Sequence, residues 1–126
     1  MILTGLSGRT TNRRMAVEQL DDSTFTSALA NSERAIVDFY AGWCGPCMLF
    51  KPKFTRLSDE YPHVKFFVCD GEKAPESRKT VEIPSLPFFG LYQNGTFVKG
   101  FSTTKEEGFR EYLEEVFGKA PEAGGA

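Results

Sequence analysis

The run Ala35-Ile36-Val37-Asp38-Phe39-Tyr40-Ala41 constrains the fold of this chain more than any other stretch. It is β-branched and aromatic, with no polar alternation, so it reads as a central strand covered on both faces. Directly after it the apolar period changes. From about Cys44 to Tyr61, the residues Cys47, Phe50, Phe54, Leu57 and Tyr61 recur on one side of a helix. A doubly covered strand running straight into a helix belongs to a sheet with helices on both sides. Pro52 falls inside that helix, removes one of its hydrogen bonds and predicts a kink.

The rest of the chain alternates in the same way. Met15–Leu20 is a short strand candidate, followed by a helix capped by Asp22 or Ser23 with Phe25, Ala28 and Leu29 on one face. Val64–Cys69 reads as a second buried strand, and Ala74–Val81 as a short helix with Pro75 in its first turn. Pro87–Tyr92 and Thr96–Phe101 flank Asn94-Gly95, a two-residue hairpin signal. Phe109, Tyr112, Leu113, Val116 and Phe117 form the apolar stripe of a last helix. The predicted order is βαβαβαββα. Helix-linked strands pair parallel and the hairpin adds an antiparallel pair, which gives an α/β fold with a mixed central sheet.

The chain of 126 residues is long enough for one domain with a real core. A net charge of −2 argues against nucleic-acid binding. No apolar run approaches the roughly 20 residues that cross a bilayer. Residues 1–14 hold three Arg and no acid, which suits either a disordered extension or a weak transit peptide. Residues 118–126 read as a disordered tail, leaving 15–117 as the folded domain.

Three cysteines are too few for a secreted disulfide scaffold, so a reducing compartment is expected, where a Cys-x-x-Cys pair is redox-active or metal-binding. Cytoplasm is the first expectation, and an organelle the alternative if residues 1–14 act as a leader. A closed zinc site needs four ligands. Only Cys44, Cys47, Cys69 and His63 are on offer, and the last two lack ligand spacing. Cys69 reads as an inert buried thiol and His63 as a surface loop residue.

The cysteine pair suggests a mechanism. Cys44 falls at the strand-to-helix junction, where free N–H groups and the helix dipole favour a thiolate. Cys47, one turn on, is placed to close a disulfide with it and should be less exposed. Cys44 would attack a substrate disulfide and Cys47 would resolve the mixed disulfide. Asp38, desolvated in the strand, is the candidate proton acceptor for Cys47. The competing reading is an edge or bulge aspartate with a structural hydrogen bond.

The stretch Val37-Asp38-Phe39-Tyr40-Ala41-Gly42-Trp43-Cys44-Gly45-Pro46-Cys47 closely resembles the thioredoxin family, over about residues 15–117. The resemblance implies a protein-disulfide reductase with no bound cofactor beyond the redox-active Cys44–Cys47 disulfide. It implies disulfide-containing protein substrates, a thioredoxin reductase linked to NADPH or ferredoxin, and a monomer. It implies a cis-proline opposite the pair. Pro84 and Pro87 are available, and family spacing from Asn94-Gly95 selects Pro87, with the Leu86 backbone pairing to substrate. Trp43, Gly45, Pro46, Leu86 and Pro87 would form an apolar patch around Cys44, and Gly45-Pro46 resembles reducing members. The alternatives are a specialised relative serving one partner and a redox-inert binding module.

Three departures from the family pattern stand out. A charged residue, commonly Lys, is frequent on the strand beside the buried aspartate. Here that position is Val68, or Phe66 after a two-residue slip, while Lys65 points the other way. Asp38 is therefore expected to lack a lysine partner. Met48 stands where Lys or Arg often follows the second cysteine. A glycine usual after the hairpin is Ser102, with Gly100 as the alternative.

Overall fold

The computed structural model describes residues 17–121. The expected extension over residues 1–14 and the tail beyond residue 121 lie outside the described residues. In chain order the elements are β1 (Val17–Leu20), α1 (Phe25–Ala30), β2 (Arg34–Tyr40), α2 (Gly45–Glu60) and β3 (Lys65–Asp70). Then follow α3 (Pro75–Arg78), β4 (Phe88–Gln93), β5 (Thr96–Phe101) and α4 (Glu106–Phe117). This is the predicted βαβαβαββα order.

The five strands form one sheet in the order β1-β3-β2-β4-β5, with β2 in the middle. β3 pairs parallel with both β1 and β2, β4 runs antiparallel to β2, and β5 to β4. Every residue of β2 after Arg34 is buried, which is why the run shows no alternation in sequence. Its side chains still alternate in space. Ile36 and Tyr40 join the core built with α2 and α4, whereas Val37 and Phe39 join the core built with α1.

The core under α2 and α4 is largely aromatic. Phe109 of α4 meets Phe50 at 5.7 Å, Phe54 at 5.9 Å, Phe89 at 5.3 Å and Phe101 at 6.1 Å between ring centroids. Such tilted and edge-on pairs add about 0.5–1.5 kcal/mol each to simple area burial. Pro52 lies inside α2, where it has no N–H to offer the carbonyl of Met48. Asn94 and Gly95 both have positive φ, 49° and 87°, as a tight hairpin between β4 and β5 demands.

Two local expectations need correction. Neither Asp22 nor Ser23 caps α1. Thr24 occupies the cap position without a side-chain cap, and Asp21 Oδ1 instead accepts the N–H groups of Ser23 and Thr24. Asp22 reaches across the fold to α3, where it accepts from the Ser77 N–H at 2.8 Å, the Ser77 hydroxyl at 2.7 Å and the Glu76 N–H at 3.3 Å. The free amides of that short helix need an acceptor, and sequence distance hides the one they use. His63 is not a free surface residue. It is half-buried, with Nε2 hydrogen-bonded to the Gly118 carbonyl after α4.

Candidate active site

The site grows from the junction of β2 and α2. β2 ends at Tyr40, a short turn returns the Cys44 N–H to the Ala41 carbonyl at 3.1 Å, and α2 starts at Gly45. Cys44 is therefore the N-cap of α2, with extended backbone geometry. Cys44 and Cys47 are joined as a disulfide, their Cα atoms 5.3 Å apart. The Cys47 backbone N–H donates to Cys44 Sγ at 3.2 Å. That donor, together with the helix dipole, favours negative charge on Cys44 sulfur. Cys47 has no exposure, whereas Cys44 is 5% exposed and lines the surface groove described below. The pair is asymmetric in the expected sense.

Asp38 lies in β2 on the same side as Ile36 and Tyr40, facing α2. It is fully buried, and neither carboxyl oxygen has a hydrogen-bond partner among the described residues. The structure thus disfavours the reading of Asp38 as an edge residue with a structural hydrogen bond. Burial pushes its pKa up from 3.8 to about 7, against the opposing pull of Lys51. The register pairs Asp38 with Val68 and Ile36 with Phe66, so the uncharged strand neighbour is Val68.

The expectation that Asp38 lacks a lysine altogether is corrected by Lys51. This residue lies one turn after Cys47 on α2, half-buried, with its ammonium 4.2 Å from the centre of the Tyr40 ring. Sequence reasoning searched the neighbouring strand and passed over the helix. The signal was present, because Cys47 and Lys51 are four residues apart and share a helix face.

The rim of the site is apolar. Trp43 is 71% exposed, and its indole N–H donates to Glu72 at 3.0 Å, an anchor with no sequence signature. The Leu86–Pro87 peptide is cis, which selects Pro87 over Pro84. Trp43, Cys44, Gly45, Pro46 and Leu86 line a groove of about 540 Å³, with Arg78 as its one charged lining residue. Ser102 is exposed and meets the cis-proline loop through Ser85, whose hydroxyl donates to it at 3.1 Å. Gly100, the alternative, sits inside β5 opposite Gly90 and beneath the Phe88 ring. Met48 is half-buried against the α2 core. Cys69 faces the opposite core, where burial pushes its thiol up to about 12, as expected of an inert cysteine.

Comparison with known proteins places this arrangement. The family profile described as Thioredoxin matches residues 16–115. The chain is 35% identical over 74 residues to Thioredoxin-3, mitochondrial, of Saccharomyces cerevisiae, covering 59% of this chain and 58% of that one. It is 32% identical over 106 residues to Thioredoxin-1 of Schizosaccharomyces pombe, covering 83% of this chain and 88% of that one. Thioredoxin f2 of Chlamydomonas reinhardtii superposes with a TM-score of 0.76 at 30% identity, over 84% of this chain and 99% of that one. A thioredoxin f2 solved in complex with ferredoxin:thioredoxin reductase superposes with a TM-score of 0.74 at 26% identity, over 80% of this chain and 94% of that one. A cysteine pair capping a helix beside a buried aspartate, on this sheet and with these relatives, shows that the chain belongs to the thioredoxin family of thiol–disulfide oxidoreductases.

Proposed function

We propose that this chain reduces protein disulfides with Cys44 as the attacking sulfur, Cys47 as the resolving sulfur and Asp38 as the proton acceptor for Cys47. In the reduced protein the Cys44 thiolate attacks one sulfur of a substrate disulfide. A bond forms between Cys44 and the substrate, and the other substrate sulfur leaves as a thiolate and takes up a proton. Cys47 then passes its proton toward Asp38 and attacks Cys44 Sγ. The Cys44–Cys47 disulfide forms, the mixed disulfide breaks, and the second substrate sulfur leaves and is protonated. Two electrons and two protons pass to the substrate. The electrons reside in the cysteine pair itself, so the reaction needs no further bound group.

The observation that carries this reading is the unequal placement of the two sulfurs. Cys44 receives a backbone N–H at the mouth of the groove, while Cys47 is sealed in the core between α2 and the side of β2 that carries Asp38. Trp43, Gly45, Pro46, Leu86, Pro87 and Ser102 are the substrate-contacting residues, the Leu86 backbone pairing with an extended segment. The groove supports Trp43, Gly45, Pro46 and Leu86, while Pro87 adjoins it through the cis peptide and Ser102 through its contact with Ser85. A thioredoxin reductase returns the electrons, and the ferredoxin-linked type is supported by the thioredoxin f2 complex. The chain works as a monomer in the cytoplasm, or in an organelle if residues 1–14 serve as a leader. None of the helices among the described residues is long and apolar enough to cross a membrane.

Insulin reduction with dithiothreitol as electron source tests the chemistry. Cys44→Ser abolishes turnover, and Cys47→Ser leaves Cys44 covalently held to substrate. Unchanged turnover in Cys44→Ser would remove the reading.

A further inference from the structure

Arg78 is the one cation lining the groove, and the proposed reductase mechanism gives it no task. It ends α3, whose first turn is latched to the rest of the fold by Asp22. Its side chain lies across Gly71. A Cβ at that position would stand 2.7 Å from Arg78 Cδ, closer than real contacts allow, and a tight 3.0 Å from Nε. The bare backbone of Gly71 is thus what lets the stem lie there. That backbone is itself pinned, its N–H donating to the Tyr40 carbonyl at 2.8 Å.

The guanidinium sits at the rim where two depressions meet. One holds Cys44 and Pro46, and the other holds Ala41, Gly71 and Glu72, with Trp43 and Leu86 shared. Glu72 accepts the Trp43 indole N–H at 3.0 Å. The Arg78 backbone N–H donates to the Ala74 carbonyl at 3.1 Å, but its guanidinium makes no hydrogen bond or ion pair with any described residue. An arginine whose stem lies over Gly71, with an unpaired planar fork of donors in the groove that holds Cys44, is suited to a carboxylate brought by a partner.

We propose that Arg78 is a specificity-determining residue: it favours protein substrates that carry an Asp or Glu close to the cysteine attacked by Cys44. This inference rests on the reductase reading above and names the substrate class of that same groove. An extended segment would lay apolar atoms against Trp43, Pro46 and Leu86 and present its carboxylate to the guanidinium. The charge acts mainly on encounter and docking, and the sulfur chemistry is unchanged.

The test uses two oxidised peptides, each closed by one disulfide, differing only by Asp or Asn beside the attacked cysteine. The readout is the ratio of their second-order reduction rates by the reduced full-length protein. The wild type should favour the Asp peptide roughly two- to fivefold at low ionic strength. That ratio should shrink as added salt shortens the Debye length. Arg78→Ala should bring the ratio to about one, and Arg78→Glu should invert it, with circular dichroism checking that each variant is folded. Gly71→Ala keeps the charge but displaces the stem, and should lower the ratio as well. Equal rates for the two peptides in the wild type, or a ratio that survives Arg78→Ala, would overturn the proposal. Failure of the wild type to reduce the Asn peptide at all would count against the reductase reading instead.

Discussion

Replacing Asp38 with Asn should change how stability depends on pH more than it changes stability at any one pH. Asp38 has an ordinary value of 3.8 in the unfolded chain and about 7 in the fold, because burial disfavours its charge. Ionising it inside the protein therefore costs about 4 kcal/mol more than ionising it in the unfolded chain. The sign follows from proton counting. Between those two values the folded state holds more protons than the unfolded state, so stability falls as pH rises. The favourable contribution is complete below the unfolded value and is lost as pH climbs through about 7. Integrated from about pH 5 to about pH 9, the loss is about 3 kcal/mol. Asn is neutral and nearly isosteric, so Asp38→Asn lacks this slope. Urea unfolding of the oxidised proteins across that range measures the difference. Oxidation removes Cys44 and Cys47 from the titration, Cys69 lies above the window, and His63 is common to both proteins. The variant should gain about 3 kcal/mol on the wild type between the two ends of the range. Parallel stability curves would refute the argument that Asp38 is buried with its proton.

Further outcomes follow from the same geometry. In rapid mixing with a disulfide substrate, Asp38→Asn should slow resolution of the mixed disulfide by roughly a hundredfold or more, the usual worth of a positioned proton acceptor. Phe109→Ala removes a ring that meets five other Phe rings and should cost about 3–5 kcal/mol in urea unfolding. Asp22→Ala removes the acceptor for the Glu76 and Ser77 amides, so hydrogen exchange at these two positions should accelerate while β2 amides stay protected. Lys51→Met should raise the Asp38 pKa further, read by carboxyl NMR, and should abolish most of its dependence on added salt.

The parts of this fold that sequence displays are those held by a repeating pattern. β2 shows itself through an unbroken apolar run, α2 and α4 through one-sided spacing, and the hairpin through Asn94-Gly95, because local geometry alone requires those residues. The Cys44–Cys47 pair and the buried Asp38 stood at marked positions in local elements, whereas the cis peptide at Pro87 was expected only from the family resemblance. What escaped was set by contacts between distant segments. Asp22 was read as a cap for the helix beside it, yet it serves amides over 50 residues away. Glu72 and Arg78 look like ordinary surface charges until the turn after β3 and the short α3 bring them beside Trp43. Lys51 was hidden differently, since a charged residue in a helix is read as facing water. Its ammonium instead lies over the Tyr40 ring, next to the buried acid.

That location of Lys51 has a consequence for how the acid is tuned. A cation on β3 would be fixed in the sheet, whereas position 68 is a buried valine that only adds to the desolvation of Asp38. The opposing charge here comes from a flexible side chain on α2 and is open to solvent on one side, so salt can screen it. It also rides on the helix that carries Cys47. If, as proposed, a substrate docks on Trp43 and Pro46, it bears on the first turn of that helix, and any displacement of the stretch carrying Cys47 and Lys51 would alter the field at Asp38. If the lysine moves away, the carboxylate becomes a stronger base, which in the proposed mechanism would favour release of the Cys47 proton. On the proposed mechanism, docking at Pro46 and the charge that tunes Asp38 thus share one helix, and the apolar Val68 leaves the strand side unable to offset a change.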